Sequence, residues 1–91
     1  MSICVGERVR LSATFKRSGQ PAIPSMPVNI IVRRRAKGAE TEGPWIAVAI
    51  EDHVFEHLYT PQAPGVYDWR VTTADGGIEE GSFVVEKSRL D

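Results

Sequence analysis

The sequence holds one cysteine, Cys4, in 91 residues. A lone thiol excludes an intrachain disulfide, so stability must come from packing or from assembly with other chains. Net charge is also nearly missing: eleven Lys and Arg against twelve Asp and Glu leave −1. That argues against a chain-wide attraction to nucleic acid or to an anionic lipid surface, and leaves only local contacts of that kind. No apolar run approaches membrane-spanning length. The opening stretch, Met1 to Glu7, lacks a charged segment followed by an apolar one, so the expectation is a protein made in the cytoplasm and not exported by a signal peptide. Convincing amphipathic helical periodicity is absent too, which turns attention to strands. At a nominal ~150 residues per domain, residues 1–91 are expected to form one domain with one modest core.

Residues 8–16 alternate cleanly. Val9, Leu11, Ala13 and Phe15 share one parity while Arg8, Arg10, Ser12, Thr14 and Lys16 share the other, the pattern of a strand with one wet face. Residues 17–27 carry Pro21, Pro24 and Pro27, positions without a backbone donor, and read as a semi-rigid, polyproline-like loop. Val28, Ile30 and Val32 form the inner side of the next strand, with Ile31 on its other side. The run Trp45 to Ile50 is apolar throughout and follows Gly43-Pro44, which favours a strand over a helix. Residues 53–60 are β-compatible and stop at Pro61. Tyr67, Trp69 and Val71 alternate with Asp68, Arg70 and Thr72, and Asp75-Gly76-Gly77 marks a hairpin turn into Ile78 to Lys87, with Phe83 and Val85 inward. Six long strands and a possible short one at Ile3 to Val5, about ten residues apart, predict an all-β antiparallel sandwich of six to seven strands.

The string His53-Val54-Phe55-Glu56-His57 matches H-x-x-E-H, which on a helix sets two imidazoles beside a carboxylate. On a strand its two histidines stand about 13 Å apart at ~3.3 Å per residue, too far to share one zinc. Cys4 has no helix N-terminus or cationic cluster to activate it. No serine sits in G-x-S-x-G, and no glycine-rich run resembles a phosphate loop. The reading is therefore of a non-enzymatic chain, with no catalytic residue, cofactor or metal assigned.

Apolar and cationic material is left over on the outer parity. If Ile46, Val48 and Ile50 point inward, Trp45 and Ala47 point outward, and Ile31 and Val84 lie outside their own strands. In the run Arg33-Arg34-Arg35, Arg33 and Arg35 align on one face. Ile31, Arg33, Arg35, Trp45, Ala47 and Val84 are the expected protein-interface residues, since tryptophan is enriched among interface anchors. The rival position for Trp45 is a cap on the open end of its own sandwich. Nucleic-acid contact by the arginines is disfavoured because no interleaved aromatics supply a stacking platform.

The segment Thr60-Pro61-Gln62-Ala63-Pro64-Gly65-Val66-Tyr67-Asp68-Trp69-Arg70 resembles the corner before strand F of immunoglobulin-like domains, with Trp69 where antibody domains have their second cysteine. Residues 6–87, through the Pro-Gly-x-Tyr and Gly-Ser-Phe-x-Val strings, are similar to short immunoglobulin-like virion proteins of tailed bacteriophages. That resemblance implies an immunoglobulin-like sandwich without a disulfide and a structural role: decorating a capsid or joining head, neck and tail parts. Its implied partners are viral capsid or neck and tail proteins, in multiple symmetric copies, with localisation in the virion. The alternative is a protein- or carbohydrate-binding adhesion module, for which Trp45 would be the exposed stacking aromatic.

Overall fold

The computed structural model describes residues 3–87. Its strands are β1 (Ile3–Cys4), β2 (Val9–Thr14), β3 (Lys16–Arg17), β4 (Gln20–Pro21), β5 (Asn29–Arg34), β6 (Glu42–Ile46), β7 (Val48–Glu51), β8 (Val54–Tyr59), β9 (Gly65–Thr72) and β10 (Ile78–Glu86). One sheet runs β1-β10-β9-β5-β6 and a second runs β2-β8-β7, with β3 and β4 as a separate small hairpin. Taking β2, β5, β7, β8, β9 and β10 as strands B, C, D, E, F and G, the sheets read G-F-C and B-E-D. That partition defines an immunoglobulin-like sandwich. β6 extends the G-F-C sheet and β1 joins β10 in parallel. The two main sheets together contain eight of the described strands, more than the six to seven expected, because β1 is paired and the run at residues 42–51 is divided between the sheets.

Alternation decides most of the core. In β2, Val9, Leu11 and Ala13 are buried while Arg10, Ser12 and Thr14 are exposed. Across the sandwich Val28, Ile30, Val32 and Val71 have no exposed surface, and Phe55 and Leu11 are 2% exposed. Tyr59, Tyr67 and Val85 complete this layer, with Phe15, Trp69 and Phe83 packed against it. The rings of Tyr67 and Phe83 stack at 5.1 Å with an interplanar angle of 3°.

Two local features bind the sequence to this topology. Tyr67 donates its hydroxyl proton to the Ala63 carbonyl at 2.7 Å, which ties the chain leaving Pro61 to the start of β9 and gives the corner suggested by Pro-Gly-x-Tyr. Gly81 on β10 lies opposite Trp69 on β9. A Cβ at residue 81 would stand 2.5 Å from the indole, so the absence of a side chain is what lets the ring lie there.

Two expectations need correction. The segment 17–27 is not a continuous polyproline-like loop: Lys16 pairs with Pro21 and Arg17 with Gln20, around Ser18 and Gly19, both at positive φ. The Gly19 turn and the position of Pro21 at the end of a two-residue strand make this short ladder possible. The run 45–50 does not send Ile46, Val48 and Ile50 inward, and all of β7 is exposed. Ile46, Val48 and Ile50 are 71%, 66% and 51% exposed, whereas Ala47 is 5% exposed. The chain leaves the five-stranded sheet after β6 and enters the three-stranded sheet at β7, and at that crossing the Ala47 N–H donates to the Val28 carbonyl at 2.9 Å. The backbone is therefore held against the core at residue 47, and the small Ala47 side chain is buried there.

Candidate interaction surface

The outward side of the five-stranded sheet is organised in ranks that follow from strand register. Asn29 pairs with Thr72 and Thr72 with Ile78. Ile31 pairs with Arg70 and Arg70 with Glu80. Arg33 pairs with Asp68 and Asp68 with Ser82. One rank further, the Arg35 N–H donates to the Val66 carbonyl at 2.7 Å, and Val66 pairs with Val84. Residues opposite one another in a ladder share a face. Four expected interface residues, Ile31, Arg33, Arg35 and Val84, are thus brought onto one surface from β5, the turn after it, and β10.

Charge on this surface is mostly compensated internally. Arg35 grips Asp68 with two parallel hydrogen bonds, Nε to Oδ2 and Nη2 to Oδ1, both 2.7 Å. The bonded guanidinium holds the Asp68 carboxyl below the usual carboxylate range, and Asp68 in turn raises Arg35. Arg70 lies 3.4 Å from Glu80. Asp68 is the cross-strand neighbour of Arg33, yet its carboxylate is committed to Arg35. Among the described residues the Arg33 side chain has no ion pair or hydrogen bond. Its exposed side chain borders a shallow cleft of about 230 Å³ lined also by Ile31, Thr41, Asp68, Trp69, Arg70 and Glu80. The cleft offers one uncompensated cation beside the aliphatic side chain of Ile31, which suits a carboxylate carried on an apolar support.

Trp45 and Ala47 do not belong to this surface. Trp45 is opposite Ile30 on the inward side of β6, its indole stacked on the His57 ring at 4.4 Å and 14° and tilted against Tyr59 at 5.8 Å. Of its two alternatives it takes the core one, and Ala47, being buried, offers nothing to a partner. The stack also covers the aromatic that favoured sugar binding. Burial lowers the pKa of His57. His53, just before β8, lies 3.8 Å from Glu51 instead, so the H-x-x-E-H residues are spread along extended backbone and share no ligand-binding point. Tyr59 donates to the Glu42 carboxylate, and burial first, then this bond, raises its pKa.

The residues that sequence reasoning left out of this surface are Asp68, Arg70 and Glu80. Their signal was present, since Asp68 and Arg70 occupy the parity opposite Tyr67, Trp69 and Val71, but register across β5, β9 and β10 was needed to join them to Arg33.

No protein-family model matches the chain, and no curated protein matches it. Among solved structures, the crystal structure of the ZIG-8–RIG-5 IG1–IG1 heterodimer in its monoclinic form is similar to it. That likeness has a TM-score of 0.47 at 13% identity, covering 93% of this chain and 79% of that one. At this identity and score the immunoglobulin-like assignment rests on the strand order and the Tyr67 corner.

Proposed function

We propose that this chain is a non-enzymatic protein-binding module that docks through the outward side of its five-stranded sheet. The observation that carries the reading is Arg33: a cation left uncompensated between two internally paired arginines, at the rim of a shallow cleft that Ile31 also lines. A partner carboxylate would complete there what Asp68 gives to Arg35, while Ile31 and Val84 supply apolar contact on either side. Charge-assisted bonds of this kind contribute about 1.5–3 kcal/mol, enough to define orientation on an otherwise self-neutralised face.

The setting we propose is a tailed-bacteriophage virion, with the chain made in the host cytoplasm and bound in multiple copies to capsid or neck and tail proteins. Its support is the resemblance of residues 6–87, with the Pro-Gly-x-Tyr and Gly-Ser-Phe-x-Val strings, to such accessory proteins. Two measurements test the two halves separately. The genes flanking its own should encode capsid, portal or tail components; neighbours of another kind overturn the virion setting. Co-sedimentation with the assembled particle should then weaken at least about tenfold in Arg33→Glu, with an unchanged melting temperature. Equal binding by that variant would remove the docking face.

A further inference from the structure

Asp68 has two arginines beside it, and the pair it makes is not the one that strand register favours. In the ladder between β5 and β9 it stands directly opposite Arg33. Side chains directly opposite have Cβ atoms about 4.5–5.5 Å apart, closer than those one rank away on the diagonal, so local geometry favours an Arg33–Asp68 pair. Arg35 lies just beyond β5 and one rank along the same face, where its N–H meets the Val66 carbonyl. It nevertheless takes both carboxylate oxygens of Asp68, each at 2.7 Å.

The fork explains why the diagonal partner wins. Two parallel charge-assisted bonds fix the plane of the carboxylate and use one lone pair on each oxygen, an arrangement that a single-point contact from Arg33 cannot match. Arg33, Arg35 and Asp68 nevertheless line one shallow cleft, so the carboxylate remains next to both cations. The neighbouring arginines are engaged elsewhere. Arg70 meets Glu80 at 3.4 Å, and Arg34 donates from Nη1 to the Pro64 carbonyl at 3.3 Å.

We infer that Arg35 is a positioning residue for the docking face: by holding Asp68 it denies that carboxylate to Arg33 and keeps the Arg33 guanidinium open to a carboxylate of the partner. This rests on the docking surface proposed above, and it gives Arg35 a part in docking without contact to the partner. Without Arg35, Asp68 turns to its cross-strand neighbour, and the fraction of molecules with Arg33 open falls. Apparent affinity falls in proportion. An exposed ion pair of ordinary strength closes Arg33 often enough to weaken docking about two- to sixfold. Removing Asp68 as well leaves nothing to occupy Arg33, so docking returns.

Arginine side-chain NMR on the free protein tests this without a partner. In the wild type the Nε–H of Arg35 should be ordered and that of Arg33 averaged by motion. In Arg35→Ala the Arg33 Nε–H should become ordered, and the Asp68 carboxyl, held below the ordinary carboxylate range by Arg35 in the wild type, should stay below it. In Arg33→Ala/Arg35→Ala it should return to the ordinary value. Arg35 and Asp68 are 59% and 47% exposed, so these variants should fold as the wild type does. An Arg33 Nε–H still averaged in Arg35→Ala, with Asp68 at its ordinary value, overturns the inference. Co-sedimentation with the assembled particle supplies the second arm: binding should weaken about two- to sixfold in Arg35→Ala and recover in Arg35→Ala/Asp68→Asn. Failure to recover overturns the inference, because Arg35 would then touch the partner itself. The double variant also restores the net charge of the face, so the signals of the free protein carry the decision. Arg33→Glu that binds as the wild type does removes the docking face instead, a result read apart from those signals.

Discussion

Replacing Trp45 with Ala distinguishes core from contact most sharply. The indole is half-buried, faces His57 at 4.4 Å and meets Tyr59 at 5.8 Å. Truncating a fully buried Trp costs about 3–5 kcal/mol; partial exposure brings the expected loss to roughly 2–3 kcal/mol, including the stacking contribution. A chain of this length has a total stability of about 5–14 kcal/mol, so the loss is large but leaves a folded protein at low temperature. At ~4–8 °C per kcal/mol the melting temperature should fall by about 10–20 °C. Thermal unfolding followed by far-ultraviolet circular dichroism, with a urea titration to check that the slope is unchanged, measures this directly. A variant melting within about 3 °C of the wild type would refute the placement of Trp45 against the core, because exposed substitutions alone stay within ~0.5 kcal/mol.

Gly81→Ala should destabilise by about 1–3 kcal/mol, since the new methyl would collide with an indole that is itself packed on the core; an unchanged urea midpoint would show that Trp69 can swing away freely. His57 supplies a pH test. Its folded-state pKa lies below the ordinary 6.5, so the unfolded chain binds the proton more readily, and the contribution of the neutral ring is full above that value and lost as pH falls through and below it. Melting temperatures between pH 8 and pH 5 should therefore fall more steeply in the wild type than in His57→Phe, which keeps a ring on Trp45 but cannot ionise. Equal slopes would remove His57 from the account.

Much of this architecture was legible because one side of each strand is apolar and the other is not. Val9, Leu11 and Ala13 against Arg10, Ser12 and Thr14 leave no choice of face, and the same holds for Tyr67 and Val71 against Asp68 and Arg70. Residues 45–50 have no such asymmetry. Both parities are apolar, and hydrophobicity favours sending the larger set, Ile46, Val48 and Ile50, inward. The structure sends Trp45 and Ala47 inward instead. The reason is topological: the strand changes sheets at Ala47, where the backbone is hydrogen-bonded to Val28. Periodicity within one segment carries no information about a change of sheet. The interface candidates divided along the same line, with Ile31, Arg33, Arg35 and Val84 placed by unambiguous strands and Trp45 and Ala47 by the ambiguous one.

That division also explains where the proposed docking surface lies on so small a fold. The outward side of the five-stranded sheet spans three long, register-locked strands, so its charges can be paired across ranks and a single unpaired arginine can set orientation. The flank at β6 and β7 is where the chain passes between sheets, and a crossing strand has both its inward room and its ladder length curtailed. Ile46 therefore emerges beside Asn29 on the five-stranded sheet, whereas Val48 emerges beside Glu56 on the three-stranded one. The exposed apolar side chains of the crossing segment are thus a by-product of the sheet change.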